Sequence, residues 1–415
     1  MTGLSGLIDR AYVYSMNRLS TDILISGGGI AGLAAALAFG AAGFTLICID
    51  PAMPVTVATD KGADLRTTAF LQPAQNFLEA AGLWSHLAGF ATPLQVMRIV
   101  DATPLSPTSR DFDAADISDL PFGWNLPNWL LRREMLARIA AMPQVSFRPG
   151  VGFARMLTRQ TGALVTLTDG TQVNARLVIG ADGRASPVRE SAGITVRTTR
   201  YGQKALTFAV THDQPHDNVS TEIHRNGGPF TLVPLPDHQG QPCSSVVWMD
   251  HGAEVQRLAA LDPAAFEAEA TARSAHLYGP LHLVGHPQVW PIISQIADRM
   301  SAERVALVAE AAHVLPPIGA QGLNMSLADM ACLLELAMAR PADLGDQIML
   351  DTYTKRRHPE AALRVAGIDA LTRASMAGSP LVHALRSAGI RALHDAAPVR
   401  RGLMKLGLGA TTPGR

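Results

Sequence analysis

Residues 22–50, which read DILISGGGIAGLAAALAFGAAGFTLICID, decide the fold. In this stretch a β-branched run is followed by a glycine turn, an alanine-rich segment and a second apolar run that ends at Asp50. Residues 23–49 carry no charge, and an apolar run longer than about 18 residues is also typical of a membrane span. Six glycines, three of them consecutive, would however disfavour a single membrane helix. The stretch therefore predicts a strand, a helix and a second strand.

The glycines of this stretch have the spacing of a phosphate-binding turn. Gly27, Gly29 and Gly32 form G-x-G-x-x-G directly after the predicted strand. The first glycine permits a tight turn, the second lets a pyrophosphate approach the backbone, and the third lets helix and strand pack closely. The helix N-terminus offers unpaired N–H groups to the phosphates, and Asp50 stands where a ribose-binding acid is expected. The pattern predicts a dinucleotide site and leaves FAD and NAD as alternatives.

The composition and the missing motifs exclude several classes of function. The chain has 415 residues, 47% of them hydrophobic, and its 35 basic residues balance 35 acidic ones. A chain without net charge and with 5% aromatic residues is not expected to bind nucleic acid. The three cysteines form no CxxC pair, which favours the reducing cytoplasm, and no metal site is expected. The sequence has no G-x-S-x-G, H-E-x-x-H or G-K-[ST] motif, so it does not predict a hydrolase triad, a zinc protease or a P-loop.

The order of the patterns predicts an α/β fold with a Rossmann-like domain, an inserted antiparallel β-sheet domain and a C-terminal helical segment. We assign residues 21–200 and 297–345 to the first domain, and residues 201–296 to the sheet that covers the substrate. Residues 97–124 can join the sheet domain instead of the first. Residues 346–415 form the helical segment.

Local signals predict several shorter features. Residues 1–20 are expected to be a disordered extension, in which Met16 is a candidate translation start. Residues 91–124 are rich in Pro, Asp and Ser and are expected to be irregular, whereas residues 263–286 are expected to be helical. A helix is expected to begin near Asn128.

Three motifs stand in order along the chain: SGGGIAG at 26–32, ADGRASPVRE at 181–190 and VAEAAHVLPPIGAQGLN at 308–324. This set resembles the FAD-dependent aromatic-ring monooxygenases of the para-hydroxybenzoate hydroxylase type, and within them most closely the ubiquinone-biosynthesis hydroxylases. The resemblance covers nearly the whole chain and implies that the Rossmann-like domain binds FAD. It also implies hydroxylation of a prenylated phenol through a flavin C4a-hydroperoxide, with O2 and with NAD(P)H or another electron donor.

The resemblance further implies roles for individual residues, although it assigns no catalytic side chain. The implied cofactor-binding residues are Gly27, Gly29, Ile30, Ala31, Gly32, Asp50, Arg66, Arg133, Asp182, Glu310, Gly322, Leu323 and Asn324. The flavin-facing candidates are His313, Pro316, Pro317 and Gly319.

The late motif departs from the family pattern at two places. The family pattern begins with Gly-Asp, where this chain has Ala309 and Glu310. It continues with Pro-x-x-Gly-Gln-Gly, and here Ala320 takes a glycine position. Glu310 keeps the negative charge with a longer reach, whereas Ala320 restricts the backbone.

Several alternatives to a ubiquinone-biosynthesis hydroxylase stay open. They are a hydroxylase of a small soluble aromatic compound, a flavin-dependent isoprenoid reductase and a non-catalytic flavin-binding assembly subunit. The basic residues of the C-terminal segment also leave open a contact with an anionic membrane surface or a biosynthetic complex. We expect a cytoplasmic protein, with peripheral attachment to the inner membrane and a homo-oligomer as further alternatives.

Overall fold

The structure is a computed structural model that describes residues 18–102, 108–225, 227–376 and 396–407. Residues 1–17 of the predicted extension, with Met16, lie outside the described residues. Residues 18–20 are not an extension but part of the first strand, because Arg18 and Leu19 pair with the strand beside them.

In chain order the strands of the described residues are β1 (Arg18–Ser26), β2 (Leu46–Asp50), β3 (Thr67–Leu71), β4 (Thr92–Leu94), β5 (Val96–Asp101), β6 (Thr108–Asp113), β7 (Gly123–Pro127), β8 (Val145–Pro149), β9 (Phe153–Arg159), β10 (Gly162–Leu167), β11 (Gln172–Gly180), β12 (Val196–Thr211), β13 (Val219–Arg225), β14 (Gly228–His238), β15 (Gln241–His251), β16 (His282–Ala297), β17 (Ser301–Ala302), β18 (Val305–Leu307) and β19 (His313–Val314).

The helices are α1 (Ile30–Ala41), α2 (Gln72–Ala80), α3 (Trp84–Leu87), α4 (Asn128–Ala140), α5 (Pro187–Ser191), α6 (Gly252–Ala259), α7 (Pro263–Arg273), α8 (Gln321–Ala339), α9 (Gln347–Met376) and a final helix, Ala397–Gly407. Short 3-10 turns occupy Ala88–Phe90, Ala114–Asp116, Ala309–Ala311 and Pro341–Asp343.

The first sheet has the order β17-β18-β11-β1-β2-β8, and the hairpin of β9 and β10 continues from β11. The neighbours from β18 to β8 pair in parallel. Their side chains are apolar on both faces because helices cover both sides of a parallel sheet. The carboxyl ends of β1, β2 and β11 lie at one edge, so Gly27, Asp50 and Asp182 come together there, where ligands bind in sheets of this kind.

The second and larger sheet has the order β19-β16-β12-β15-β14-β13-β5-β6. One face packs on α6 and α7 through a cluster that includes Phe208, Trp248 and Phe266. We call the opposite face the inner face. It is formed by the alternate residues of the strands, which include Ala205, Thr207, Ser245, Val247, Met249, Trp290 and Ile292.

Two local predictions were wrong. Residues 91–124 are not irregular, because β4, β5, β6 and β7 lie within them, and β5 and β6 form the edge of the large sheet. Their polar side chains hid the strands, since an edge strand is half exposed and carries cross-strand ion pairs such as that of Arg98 with Asp111 at 2.7 Å. Residues 263–286 are helical only to Arg273, and β16 begins at His282.

A small sheet of order β3-β7-β4 joins the two larger ones. Thr67 of β3 hydrogen-bonds Ser245 of the inner face at 3.0 Å between hydroxyl oxygens. Asn125 of β7 donates from Nδ2 to the carbonyl oxygen of Pro234 at 3.0 Å. These bonds hold the inner face opposite the parallel sheet and leave a cleft between them.

Helix α8 begins at the cleft and runs through the core. It is long and apolar enough to cross a membrane, with a mean hydropathy of 1.3, yet it packs against α1, α2 and α9. Its buried residues include Met325, Leu327 and Leu333. It is therefore a core helix of this fold.

Candidate functional site

The glycine turn between β1 and α1 brings backbone segments into close contact at two of its glycines and borders open space at the third. Gly27 has φ +111°, and a Cβ there would lie 2.3 Å from the carbonyl oxygen of Ala181. A Cβ on Gly32 would lie 1.8 Å from the carbonyl oxygen of Gly27. A Cβ on Gly29 would meet no atom within 4 Å, so this residue borders open space. Steric crowding thus explains the first and third glycines, and the second leaves room for a ligand.

The N-terminus of α1 faces the same open space with its backbone donors uncapped. Gly29 is the N-cap residue, no side chain caps the helix, and the first turn carries no acid. The N–H groups of Ile30, Ala31 and Gly32 precede the first intrahelical donor, Leu33, which bonds Gly29 at 2.9 Å. Three free N–H groups and the positive end of a helix fit a pyrophosphate.

Asp50 closes the rim of this turn. Its Oδ2 accepts from the N–H of Gly28 at 2.6 Å, and its Oδ1 accepts from the N–H of Ala52 at 2.8 Å. Each carboxylate oxygen can accept a second hydrogen bond. The carboxylate is therefore held in place with acceptor capacity left for a ribose hydroxyl.

Asp182 tests directly whether these residues fit a cofactor. Its Oδ2 accepts from Ser26 Oγ at 3.3 Å and from the N–H of Val188 at 3.1 Å. Its Oδ1 is buried and has no hydrogen-bond partner among the described residues. Burial raises the pKa of this carboxyl above its usual range. A buried acceptor without a donor is rare in a folded protein, and a cofactor hydroxyl would satisfy it.

Arg66 lies where the glycine-turn side of the cleft meets the inner face. Its Nε and Nη2 donate to Asp64 at 2.8 and 2.7 Å, and its guanidinium carbon lies 4.0 Å from the ring centroid of Trp290. Burial opposes the charge, but Asp64 and the nearby Glu310 together raise the pKa of Arg66. Glu310 is exposed, so its carboxylate is accessible to a ligand at this end of the cleft. The structure thus brings Arg66 and Glu310 close to each other at this end of the cleft.

Arg133 points elsewhere. Its Nε donates to Glu134 at 2.7 Å, and its guanidinium carbon lies 5.5 Å from the ring centroids of both Phe90 and Trp129. The structure does not bring it to Asp50 or to the glycine turn.

The neighbouring Arg132 contacts the loop that follows β2 and Asp50. Its Nη1 donates to the carbonyl oxygen of Val55, in the loop after β2, at 3.3 Å. Arg132 follows Asn128 by four positions, and Asn128 Nδ2 donates to Asp64 at 3.0 Å, so both lie on one face of the helix. The resemblance implied a role for Arg133 and not for Arg132. Consecutive residues of a helix point about 100° apart, and the sequence alone does not show which of the two directions faces the loop.

His313 does not face the cleft. Its Nε2 lies 2.6 Å from Oδ2 of Asp329, and the two side chains are 1% and 0% exposed. Arg357 of α9 donates from Nε to Oδ1 of the same aspartate at 2.7 Å. The prediction that His313 faces the flavin was therefore wrong. Strand β19 pairs with β16, and this pairing turns the His313 side chain toward α8 and α9.

The loop from β19 to α8 carries the remaining flavin-facing candidates. Pro316 is buried, whereas Pro317 and Gly319 are exposed, and Gly319 has φ +65°. Between them Ile318 packs on the inner face with a cluster that contains Ala205, Met249 and Ile292. The loop is therefore fastened to the inner face at its centre.

Helix α8 presents a second uncapped N-terminus to the cleft. Its N-cap residue is Ala320, with φ +55°, and the first turn has neither a capping side chain nor an acid. Gly322 is exposed, and a Cβ there would meet nothing within 4 Å. Its backbone and that of the half-buried Leu323 can donate to an anionic group.

Asn324 ties this helix to β3. Its Oδ1 accepts from the N–H of Leu71 at 2.9 Å. Its Nδ2 donates to the carbonyl oxygens of Ala69 at 2.7 Å and of Ala320 at 2.6 Å. The side chain of Asn324 thus fixes the loop before α8 to strand β3. The sequence pattern did not reveal this role.

No group of three or more histidine, cysteine, aspartate or glutamate side chains that could hold a metal ion occurs among the described residues.

Comparisons with known proteins identify the group that this cleft holds. The FAD binding domain family matches residues 20–366. The ubiquinone hydroxylase UbiL of Rhodospirillum rubrum is 34% identical over 391 residues, which cover 94% of this chain and 89% of that protein. The 3-demethoxyubiquinol 3-hydroxylase of Escherichia coli is 25% identical and covers 95% of this chain and 100% of its own length.

The fold has counterparts among solved structures. The p-nitrophenol 4-monooxygenase PnpA of Pseudomonas putida superposes with a TM-score of 0.77 at 18% identity, covering 95% of this chain and 99% of that one. At this identity the likeness extends to the fold alone. Together with the family match, the uncapped helix N-termini and the orphaned Asp182 oxygen, it leads to one conclusion: the chain belongs to the FAD-dependent aromatic-ring monooxygenases of the ubiquinone-biosynthesis hydroxylase family.

Proposed function

We propose that the protein hydroxylates the aromatic ring of a prenylated phenol during ubiquinone biosynthesis, with FAD as its cofactor and O2 as its oxidant. The proposal is supported by relatives named as ubiquinone hydroxylases over nearly the whole chain. Bound FAD, once reduced, supplies the electrons that activate O2.

The character of the inner face carries the proposal. The inner face carries no charged side chain on the central segments of β12, β14 and β15. The segments concerned are 205–209, 231–233 and 245–249. A phenol with a carboxylate would need a cation on this surface to offset its desolvation. The uncharged surface of these strands favours a ring with an isoprenoid chain over a ring with a carboxylate. We therefore propose that residues 201–296, with β5 and β6, cover the substrate.

The remaining residues bind, position and exclude water. The N-termini of α1 and α8 offer N–H groups to the phosphates and to the negative charge of the reduced cofactor. Asp50 and Asp182 accept hydrogen bonds from cofactor hydroxyls. Ile318 closes the cleft between the loop and the inner face, which keeps water away from the reacting ring.

The electron donor and the location belong to the same proposal. We propose NAD(P)H as a transient donor, since the sequence has no second G-x-G-x-x-G to hold a nicotinamide nucleotide in a domain of its own. We also propose a cytoplasmic protein that attaches peripherally to the inner membrane. Leu363 and Leu371 of α9 are 75% and 58% exposed, and Arg401 and Lys405 of the final helix are exposed. Association with biosynthetic partners or with a second copy stays a prediction.

The test uses the FAD-loaded full-length protein, NADPH, isotopically labelled O2 and a phenol that carries a short isoprenoid chain. We expect one labelled oxygen atom in the ring product, measured by mass spectrometry. Saturation of an isoprenoid double bond without labelled oxygen would instead identify a reductase. Faster turnover of the same phenol without its chain would identify a hydroxylase of small soluble aromatics. Failure to bind FAD would identify a non-catalytic subunit.

A further inference from the structure

The strand register leads across the inner face to a glutamate and a histidine. The row crosses β12, β15, β14 and β13, and its members stand side by side on one face of the sheet. In order they are Thr207, Val247, Thr231 and Glu222, and His224 lies two residues beyond Glu222 on the same face of β13.

This row leads away from the cofactor loop. Val247 packs against the same cluster as Ile318, and Ile318 lies between the two prolines and Gly319 of the loop. Adjacent strands are about 4.8 Å apart, so Glu222, two strands further on, lies roughly 10 Å from Val247 along the sheet. Val247 and Thr231 are half-buried. A phenol that rests on these two residues would point its hydroxyl at the pair that Glu222 forms with His224.

His224 is paired with a carboxylate on its own strand. Its Nε2 lies 2.8 Å from Oε1 of Glu222, and the two side chains are 12% and 21% exposed. Burial opposes the charge of Glu222, but the hydrogen bond and the electrostatic attraction of His224 together outweigh burial and lower the pKa of Glu222. A neutral imidazole that donates from Nε2 keeps a lone pair on Nδ1. No described residue is hydrogen-bonded to that Nδ1 atom, so the pair has the form of a general base with an orienting carboxylate.

Other charged groups face the pair from the neighbouring strands. Asp101 stands opposite His224 on β5. Arg110 of β6 pairs with Ile99, which stands opposite Glu222, so Arg110 lies in the next row of the same face. Two carboxylates and one guanidinium therefore lie on this face around the imidazole.

We propose that His224 is the catalytic base that takes the proton of the substrate's ring hydroxyl, with Glu222 as its positioning residue. The phenolic O–H bond breaks, an N–H bond forms on His224, and the electron pair stays on the phenolate oxygen. No oxidation occurs in this step, and the phenolate ring is richer in electrons and so more easily hydroxylated. The inference rests on the proposed function and adds to it the group that activates the ring.

The chain offers a matched control for His224. His282 of β16 also pairs with a glutamate, its Nδ1 lying 3.3 Å from Oε2 of Glu267. This pair is on the outer part of the molecule, where the histidine side chain is 58% exposed. A histidine–glutamate pair with only a structural role would behave alike at both places.

The first measurement needs no turnover. A 4-nitrophenol that carries one prenyl group is bound to the oxidised FAD-loaded protein, and its ionisation is followed by difference spectroscopy against pH. We expect the wild-type protein to lower the apparent pKa of the bound probe. His224→Gln should raise it by about one unit, which is a tenfold change in the ionisation equilibrium, and Glu222→Gln should shift it in the same direction. His282→Gln should leave it unchanged. An equal value in the wild type and His224→Gln overturns the inference.

The second measurement follows product formation with a short-chain prenylated phenol. We expect His224→Gln to lower the rate about 100-fold near neutral pH, and to regain rate as rising pH ionises the phenol in solution. Its FAD content and rate of cofactor reduction should match the wild type. Product from His224→Gln at the wild-type rate and pH profile would overturn the inference alone. Probe ionisation without any product from the wild type would overturn the proposed function alone, and a probe that does not bind would overturn both.

Discussion

His313 and Asp329 form a buried hydrogen bond between the start of β19 and the middle of α8, with 2.6 Å between Nε2 and Oδ2. Arg357 of α9 completes the arrangement at 2.7 Å from Oδ1, and it also pairs with Glu360. One aspartate thus joins three elements at the base of the loop that packs on the inner face. The loop can hold its shape at the cleft because both of its ends are fixed in the core.

We expect Asp329→Asn to destabilise the protein strongly. The substitution removes the carboxylate but leaves the Arg357 guanidinium, which is 10% exposed, without its buried partner. Breaking a buried ion pair costs about 3–5 kcal/mol, so the melting temperature should fall by roughly five degrees. Thermal unfolding followed by circular dichroism measures this.

The control for this change is an exposed ion pair between the same two helices. Glu335 of α8 pairs with Arg356 of α9 at 2.9 Å, with side chains 67% and 48% exposed. Glu335→Gln should leave the melting temperature nearly unchanged, because solvent screens an exposed pair. Equal losses for both variants would show that burial of Asp329 does not matter.

Gly29→Ala should separate folding from cofactor binding. A Cβ at Gly29 meets no protein atom, so the apoprotein should fold and melt as the wild type does. The same Cβ would stand between the helix N-terminus and the pyrophosphate, and FAD affinity should fall at least tenfold. Gly89→Ala is the matched control, because that Cβ also meets nothing and Gly89 lies outside the glycine turn. Titration of each apoprotein with FAD by fluorescence quenching measures the difference, and an unchanged affinity in Gly29→Ala would contradict the assignment.

Asp182→Asn should change stability and FAD affinity in opposite directions. Burial raises the pKa of Asp182 in the folded protein above 3.8, so folding favours the protonated carboxyl, and ionisation at neutral pH costs stability. The apoprotein variant should therefore be more stable than wild type near neutral pH, and this advantage should shrink as pH falls through the raised pKa.

FAD affinity supplies the second half of that prediction. The wild-type carboxylate accepts a hydrogen bond from the cofactor more strongly than an amide does, so the variant should bind FAD about tenfold more weakly near neutral pH. Wild-type affinity should decline as acid protonates Asp182, whereas the variant should lack this dependence. Calorimetric titration across pH tests both, and parallel curves for the two proteins would contradict the role of Asp182.

Ala320→Gly should stabilise the loop. Ala320 adopts φ +55°, and Ala309, the other alanine at a family glycine position, adopts φ +54°. A left-handed conformation costs an L-residue about 1–2 kcal/mol, of which the greater freedom of glycine in the unfolded chain cancels about 0.4–1 kcal/mol. The melting temperature should rise by a few degrees at most. Ala137→Gly on the exposed face of α4 should lower it instead, since glycine disfavours a helix.

Sequence patterns predicted the parts of the fold in which one local rule dominates. The glycine turn, the helix that begins at Asn128, and the cap of α5 by Ser186, whose Oγ accepts from Arg189 N–H at 3.0 Å, each follow from residues a few positions apart. The α/β architecture with its inserted sheet followed from the order of these signals.

The features that were missed depend on contacts distant in sequence. The direction of His313 is set by β16 and by Asp329, and no local pattern contains either partner. The choice between Arg132 and Arg133 depends on which face of α4 meets the loop at Val55, which precedes Arg132 by 77 residues. Strands β5 and β6 are stabilised by a partner, β13, that follows far along the chain.

The residues that form the cleft are far apart in sequence, so they are synthesised at different times. The glycine turn and Asp50 emerge first, Asp182 follows, and Asn324 emerges only after the whole inserted sheet. Because Asn324 fastens the loop to β3, a nascent chain that stops within the sheet has an open phosphate turn and no second wall. We therefore expect the complete cleft, and with it tight cofactor binding, to form only late in the synthesis of the chain.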